Sequence, residues 1–227
     1  MSEKTETIIN GLPQVAVITG DIVNSQGYEQ TNDWLSALKE LLGECGDHPK
    51  MWQVYRGDSF QLLLKDPSDA LSISLKLKAT IKRFKELDVR IAIGVGALEH
   101  EAEQVLQSNG EAFAYSGRKF DSLKKQTLAI KTPWQDLDKA FNLFLKLALL
   151  TMDDWSETRA EVVMASLQHP QATQQEIATL LSIPQSRVSE RLSRAGFEAI
   201  KETEQYYRAA IKERLAALSS HHGKRTE

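Results

Sequence analysis

The stretch QVAVITGDIV (residues 14–23) predicts a buried β-strand that ends around Gly20 and Asp21. Its first half is rich in β-branched residues and is apolar on both faces, which is typical of a strand inside a sheet. The stretch TNDWLSALKELLGEC (residues 31–45) follows, and its apolar residues recur at helical spacing. The fold is therefore predicted to begin with a central strand and a helix.

A second stretch, VYRGDSFQLLL (residues 54–64), predicts a β-hairpin with Gly57 and Asp58 at its turn. The remaining patterns predict a helix over residues 68–87, a strand over 89–98, a helix over 110–125 and a short strand over 128–132. This order of elements predicts an α+β fold whose first part is a ferredoxin-like (palm-type) βαββαβ domain.

The predicted sheet brings two carboxylates together. The first strand and the hairpin are antiparallel neighbours in such a sheet, so Asp21 and Asp58 are expected at the same edge. Two carboxylates on different strands can hold a hard cation, and we expect Mg²⁺ or Mn²⁺. Two simpler interpretations stay open: Asp21 could cap the next helix, and Asp58 could be only a turn residue.

The C-terminal third of the chain has purely helical patterns. The stretch DKAFNLFLKLALLTM (residues 138–152) predicts an apolar connector helix that packs on the first domain or in a dimer interface. Three helical stretches follow it, and the last, over residues 185–218, is unusually long. The predicted division is a palm-type domain, a connector helix and an all-α helix-turn-helix domain, at residues 1–135, 136–152 and 153–227.

The stretch TQQEIATLLSIPQSRVSERLSRA (residues 173–195) has the pattern of a helix-turn-helix, with Val188 and Leu192 as core positions of the second helix. It resembles the helix-turn-helix of sigma-factor region 4, in which the second helix enters the major groove of DNA. The predicted DNA-binding residues are Gln185, Ser186, Arg187, Ser189, Arg191 and Arg194. The alternative is a protein-docking module, because Glu176, Glu190 and Glu198 balance the local charge.

Composition limits the classes of function. The net charge of −3 gives no global basic field that would indicate nucleic-acid binding, so any DNA contact has to be local. A single cysteine and five scattered histidines argue against a disulfide framework and a zinc site. No apolar run is long enough to span a membrane and no signal peptide is visible, so we expect a cytoplasmic protein with no membrane partner.

Four short motifs occur in the order found in class III nucleotide cyclase catalytic domains: ITGDIVNS, RGDSF, RIAIGVG and GEAFAYSGRKFDSL. The set is similar to bacterial SatD-type proteins, and the resemblance covers roughly the first 130 residues. The resemblance implies a nucleoside triphosphate ligand, a divalent cation on Asp21 and Asp58, and a catalytic arginine at Arg118.

The resemblance also implies that phosphates contact the chain around these aspartates. The implied nucleotide-binding residues are Ile22, Val23, Asn24, Ser25 and Gly57. Cyclase-like sites take residues from two subunits, so a homodimer with Arg118 acting across its interface is expected. A surface ion pair of Arg118 with Glu111 or Asp121 is the alternative.

Two positions depart from the cyclase pattern. Ala114 stands where the family has an asparagine, and Val54 where it has a lysine. Those positions orient the ribose and recognise the base, so the resemblance extends to the metal and triphosphate end of the site and not to its nucleoside end.

Three functions compete. The first is a regulator that couples metal-dependent nucleotide binding to DNA binding. The second is an active nucleotide cyclase or nucleotidyltransferase whose C-terminal part only docks partners, and the third is a catalytically inert adaptor dimer.

Overall fold

The computed structural model describes residues 7–9, 11–28 and 31–222, and it shows a mixed α+β fold. The strands are β1 (Ile8–Ile9), β2 (Leu12–Val23), β3 (Trp52–Tyr55), β4 (Ser59–Leu64), β5 (Asp88–Ala97) and β6 (Leu128–Lys131). The helices are α1 (Thr31–Cys45), α2 (Ala70–Ile81), α3 (Glu111–Ser122), α4 (Gln135–Met152), α5 (Glu157–Gln168), α6 (Gln174–Leu181), α7 (Gln185–Arg194) and α8 (Phe197–His222).

Strand β2 is the centre of the sheet. The strand order is β3-β4-β2-β5-β6, β1 pairs with the start of β2, and β2 is antiparallel to both β4 and β5. Strand β6 is parallel to β5. Strand β2 is hydrogen-bonded on both sides, and its apolar residues 15–18 are buried on both faces of the sheet, as the sequence predicts. The strand continues to Val23, so Asp21 lies within the paired region and does not end the strand.

Glycines on β5 allow α3 to approach the sheet closely. A Cβ atom at Gly94 would lie 2.2 Å from the carbonyl oxygen of Ala112 and 2.4 Å from the backbone nitrogen of Ser116. The Ser116 hydroxyl also shares a hydrogen bond of 3.0 Å with the hydroxyl of Thr19 on β2. Helix α3 is therefore fixed against both central strands.

The helix predicted over residues 68–87 is shorter than expected. Helix α2 ends at Ile81, and the chain then turns through Glu86, which has a positive φ of 64°. After Ile81 the backbone bonds tighten to a three-residue spacing, from Arg83 N to Thr80 O and from Phe84 N to Ile81 O, and Glu86 completes the turn into β5.

Helix α4 has two apolar faces with different surroundings. One face is buried in the core through Leu137, Phe141, Leu145, Leu149 and Met152. The other face exposes Leu143, Phe144, Leu147 and Leu150. The prediction that this helix packs on the rest of the chain is correct for the first face, and a dimer interface on the second face stays a prediction.

The single long helix predicted over residues 185–218 is wrong. Helix α7 ends at Arg194, and Gly196 then adopts a left-handed φ of 66° before α8 begins. Glycine is the residue that most readily ends a helix in this conformation. The indole nitrogen of Trp155 donates to the carbonyl oxygen of Ala195 at 3.0 Å, which holds the break in place.

The C-terminal helices pack onto the sheet domain. The Tyr207 hydroxyl of α8 is buried and donates to the carbonyl oxygen of Pro67 at 2.9 Å, and Arg208 forms an ion pair with Asp69. Buried residues from both parts of the chain belong to one hydrophobic core cluster. The predicted domain boundaries stay predictions. Within the described residues, no helix is long and apolar enough to cross a membrane.

We predict that Gly94→Ala destabilises the protein by about 1–3 kcal/mol or more, because the new methyl group would overlap the backbone of α3. Gly117→Ala is the matched control: the site lies within α3, has no atom within 4 Å of a new Cβ, and should gain roughly 0.5–1 kcal/mol. Chemical denaturation measures both. Equal stability of the two variants would contradict the close approach of α3.

Candidate functional site

A cavity of about 800 Å³ opens at the end of the sheet where β2, the β3–β4 turn and the loop before β6 meet. Its volume is in the range of pockets that bind small molecules. Its lining includes three acidic and three basic side chains: Asp21, Asp58, Glu86, Arg90, Lys124 and Lys125.

Asp21 is paired with Arg90 across the β2–β5 ladder. The two residues are direct partners in the antiparallel register, and both side chains point into the cavity. Nε of Arg90 donates to Oδ1 of Asp21 at 2.9 Å, while Nη2 of Arg90 donates to Oδ2. Both carboxylate oxygens of Asp21 are therefore engaged by one guanidinium group.

Asp58 is held beside Asp21 by the hairpin. The turn passes through Arg56 and Gly57, both with positive φ, and Asp58 precedes Ser59, the β4 partner of Asp21. The carbonyl oxygen of Asp58 accepts from the backbone nitrogen of Ile22 at 3.1 Å. The two predicted aspartates thus line the same cavity, and their role as metal ligands stays a prediction.

Ser25 orients the Asp58 carboxylate. Its hydroxyl donates to Oδ2 of Asp58 at 2.6 Å, and its side chain is largely buried. The chain reaches this position because Asn24 adopts a left-handed conformation with φ 65°. The Asn24 side chain in turn donates to the carbonyl oxygen of Glu86 at 2.9 Å, which closes one wall of the cavity.

The charges in the cavity are coupled. The hydrogen bond to Asp21 raises the pKa of the Arg90 guanidinium, and the negative charges of Asp21 and Asp58 raise it further against the opposing effect of burial. Arg90 thus interacts with both aspartates and stays fully protonated.

The other predicted nucleotide-binding residues are only partly brought together. Residues 22–25 line the cavity, while Gly57 does not. The backbone nitrogen of Ile22, one of these predicted residues, already donates to the carbonyl oxygen of Asp58 and is not free to bind a phosphate oxygen.

Arg118 lies apart from this cavity. It is exposed on α3 and is not among the residues that line the cavity. In the described part of the chain, neither Glu111 nor Asp121 forms an ion pair with it. Its predicted catalytic role therefore requires a second subunit, and both that role and the homodimer stay predictions.

Sequence reasoning missed the basic residues of the site. Arg90 could have been found from the strand register, because an antiparallel pairing of residues 14–23 with 88–97 puts it opposite Asp21. Lys124 and Lys125 lie in the loop before β6, and nothing in their local pattern indicates that this loop faces the two aspartates.

A divalent cation would have to rely on few ligands. The described residues contain no group of three or more histidine, cysteine or acidic side chains that could hold a metal. The carboxylates of Asp21 and Asp58 are nevertheless the hard oxygen donors that Mg²⁺ and Mn²⁺ prefer, so the donor chemistry fits. Both oxygens of Asp21 already accept from Arg90, so a cation would have to compete with the guanidinium group for this carboxylate.

The chain matches one known protein family over most of its length. The SatD family model matches residues 14–210, which is most of the sequence. The chain belongs to the SatD family. Comparison with curated proteins found no match.

This SatD-family protein also has a weak likeness to a solved structure, the active GGEEF domain of a diguanylate cyclase from Vibrio cholerae. The identity is 16% and the TM-score is 0.37, over 52% of this chain and 82% of that chain. A likeness this weak says nothing about what the SatD-family protein binds.

A second candidate surface of the SatD-family protein lies on α7. Helices α6 and α7 are joined by the short turn of Ser182, Ile183 and Pro184, and Thr173 and Glu176 form a capping box at the start of α6. Val188 and Leu192 are buried, as predicted. The outward side of α7 exposes Gln185, Ser186, Arg187, Ser189 and Arg194.

The arginines of α7 are paired with acidic residues. Arg187 and Arg194 both contact Glu190, at 3.1 and 3.2 Å, and their side chains remain 63% and 68% exposed. Arg191 was predicted to point outward, but its side chain is only 22% exposed and pairs with Glu161 of α5 at 3.5 Å. Its position on the helix turns it toward α5, so Arg187 and Arg194 are the better candidates for contact with a partner.

Proposed function

We propose that this SatD-family protein is a regulator that binds a nucleoside triphosphate together with a divalent cation and that contacts DNA through α7. The observation that carries the first half is the cavity in which two aspartates face three cationic side chains. A complex of a cation with a triphosphate carries both positive and negative charge. A cavity lined only by acidic or only by basic side chains would bind the cation or the triphosphate, but not both.

The roles of the side chains follow from their chemistry. Asp21 and Asp58 bind the cation, which neutralises the triphosphate and fixes its position. Ser25 holds the Asp58 carboxylate in place through its hydroxyl. Lys124 and Lys125, which line the same cavity, bind phosphate oxygens.

The order β4-β2-β5 supports a palm-type interpretation of the sheet. Asp21 on the central strand and Asp58 in the neighbouring turn stand at one sheet edge, as in the cyclase domains that the motifs resemble. An active nucleotide cyclase or nucleotidyltransferase is the competing function, because the same arrangement would serve both. Arg118 takes part in that chemistry only if a second subunit brings it to the cavity.

A buried ion network supports coupling between the cavity and the C-terminal helices. The Lys78 ammonium group donates to Thr127, which lines the cavity, at 2.9 Å, and to Asp153, which follows α4, at 2.6 Å. The Thr127 hydroxyl also donates to Asp153 at 2.7 Å. A ligand that displaces the loop before β6 would therefore disturb the junction between α4 and α5.

Calorimetric titration tests the nucleotide site. We expect ATP or GTP to bind the protein with Mg²⁺, and Asp58→Asn to weaken this binding at least tenfold, since even outer-shell partners of metal sites contribute about 10- to 100-fold. The asparagine oxygen can still accept from Ser25, so the fold should be retained. Analysis of the products by chromatography then separates the regulator from the enzyme.

The matched control is Asp47→Asn, because Asp47 is an exposed turn residue outside the cavity. It should leave the affinity unchanged. Equal nucleotide affinity in Asp58→Asn and the wild type would contradict the proposed site.

Gel retardation of genomic fragments at several salt concentrations tests the DNA half. Arg187→Ala should weaken binding and reduce the slope of log K against log salt by about 0.9, the value for one lost phosphate contact. Glu190→Gln should strengthen binding, because it removes the negative charge that pairs with Arg187 and Arg194.

Lys212→Ala serves as the control for this experiment, since Lys212 is exposed on α8 away from the α6–α7 surface. If the wild-type protein retards no fragment at low salt, or if Lys212→Ala and Arg187→Ala behave alike, α7 is not a DNA-binding element. A protein-docking role would then be the better account of this surface.

A further inference from the structure

Arg90 pairs with the carboxylate of Asp21, which a cation in the cavity would need as a ligand. Its guanidinium group engages both oxygens of Asp21 in a forked arrangement. A bidentate pair of this kind uses one lone pair on each oxygen and places a positive charge directly beside the carboxylate. A divalent cation at Asp21 therefore has to compete with a group of the same sign of charge that already holds both oxygens.

The surroundings of Arg90 allow such a movement. Its side chain is partly exposed to the cavity, and the guanidinium carbon lies 5.5 Å from the centre of the Phe120 ring. An aromatic face attracts a guanidinium group without fixing its hydrogen-bond partners. Rotation of the Arg90 side chain would free the group from Asp21 within the cavity that Lys124 and Lys125 also line.

The charge balance makes the two ligands depend on each other. A cation alone has to compete with Arg90 for Asp21, and a free triphosphate meets the negative charges of Asp21, Asp58 and Glu86. When both arrive together, the cation takes Asp21 and the phosphate takes the guanidinium group. The carboxylate of Asp21 and the guanidinium group of Arg90, which separate in this step, then each pair with an opposite charge of the bound complex.

We propose that Arg90 is an exchangeable counter-ion, which covers Asp21 in the free protein and transfers to a phosphate oxygen when a cation–triphosphate complex binds. This inference rests on the proposed nucleotide site and adds a specific role for one residue. No covalent bond changes in the exchange. It makes Arg90 a binding residue that suppresses loading of the cation without its nucleotide.

Two titrations of the full-length protein test the exchange. Electron paramagnetic resonance of free Mn²⁺ measures the affinity for the metal alone, and calorimetry measures the affinity for ATP or GTP with Mg²⁺. Arg90→Gln should raise the affinity for Mn²⁺ alone and lower the affinity for the Mg²⁺–nucleotide complex, each by about tenfold or more, because charged hydrogen bonds are exchanged. Opposite signs in the two titrations are the signature of the exchange.

Two further variants make the result decisive. Arg90→Lys keeps the charge without the fork, so its Mn²⁺ affinity should lie between those of the wild type and Arg90→Gln. Arg83→Gln removes an exposed arginine outside the cavity and should change neither titration. Circular dichroism on heating checks that each variant is folded, and Arg90→Lys carries the test if Arg90→Gln is not.

The outcomes separate the two proposals. If no nucleotide binds the wild type, the proposed function fails, and the Mn²⁺ titration still decides whether Arg90 shields Asp21. If Arg90→Gln leaves Mn²⁺ affinity unchanged or lowers it, or if neither protein binds Mn²⁺, the exchange is wrong.

Discussion

The pairing of β2 on both of its sides is the constraint on which the site depends. The ladder to β4 places Asp21 opposite Ser59, and the ladder to β5 places it opposite Arg90. A shift of either ladder by one residue would turn the partner side chains to the other face of the sheet. The buried apolar residues of β2 lie in the same two ladders, so one pairing determines both the core contacts and which side chains meet at the cavity.

The buried Lys78 is the second constraint, and it joins the sheet to the helices. Its ammonium group is 1% exposed and contacts Asp88, Asp153 and Thr127. A buried ion pair gives little net stability relative to apolar residues, but loss of one partner costs about 3–5 kcal/mol because the remaining charge is left uncompensated. The network therefore fixes where α4 ends relative to β5 and to the loop that carries Lys124 and Lys125.

Local patterns in the sequence predict most of the helices and strands, but they do not predict contacts between segments that are distant in the chain. The strand over residues 14–23 and the hairpin turn at Asp58 follow from alternation and turn chemistry, and both aspartates line one cavity. The break at Gly196 was missed because helical spacing continues across it, although a glycine there is a typical helix-ending signal, and its φ of 66° marks the end of α7. Arg90 was missed for another reason: its role depends on a pairing between segments far apart in the chain.

The most direct test of the central claim, that Asp21, Asp58 and Arg90 form one charge-coupled site, is a crystal structure with Mn²⁺ and a non-hydrolysable triphosphate analogue. Anomalous scattering of manganese locates the cation without reference to the protein. We expect the anomalous peak to place the manganese ion against the carboxylates of Asp21 and Asp58, with the guanidinium group of Arg90 hydrogen-bonded to a phosphate oxygen. A structure with the analogue bound elsewhere and Arg90 still forked on Asp21 would contradict it.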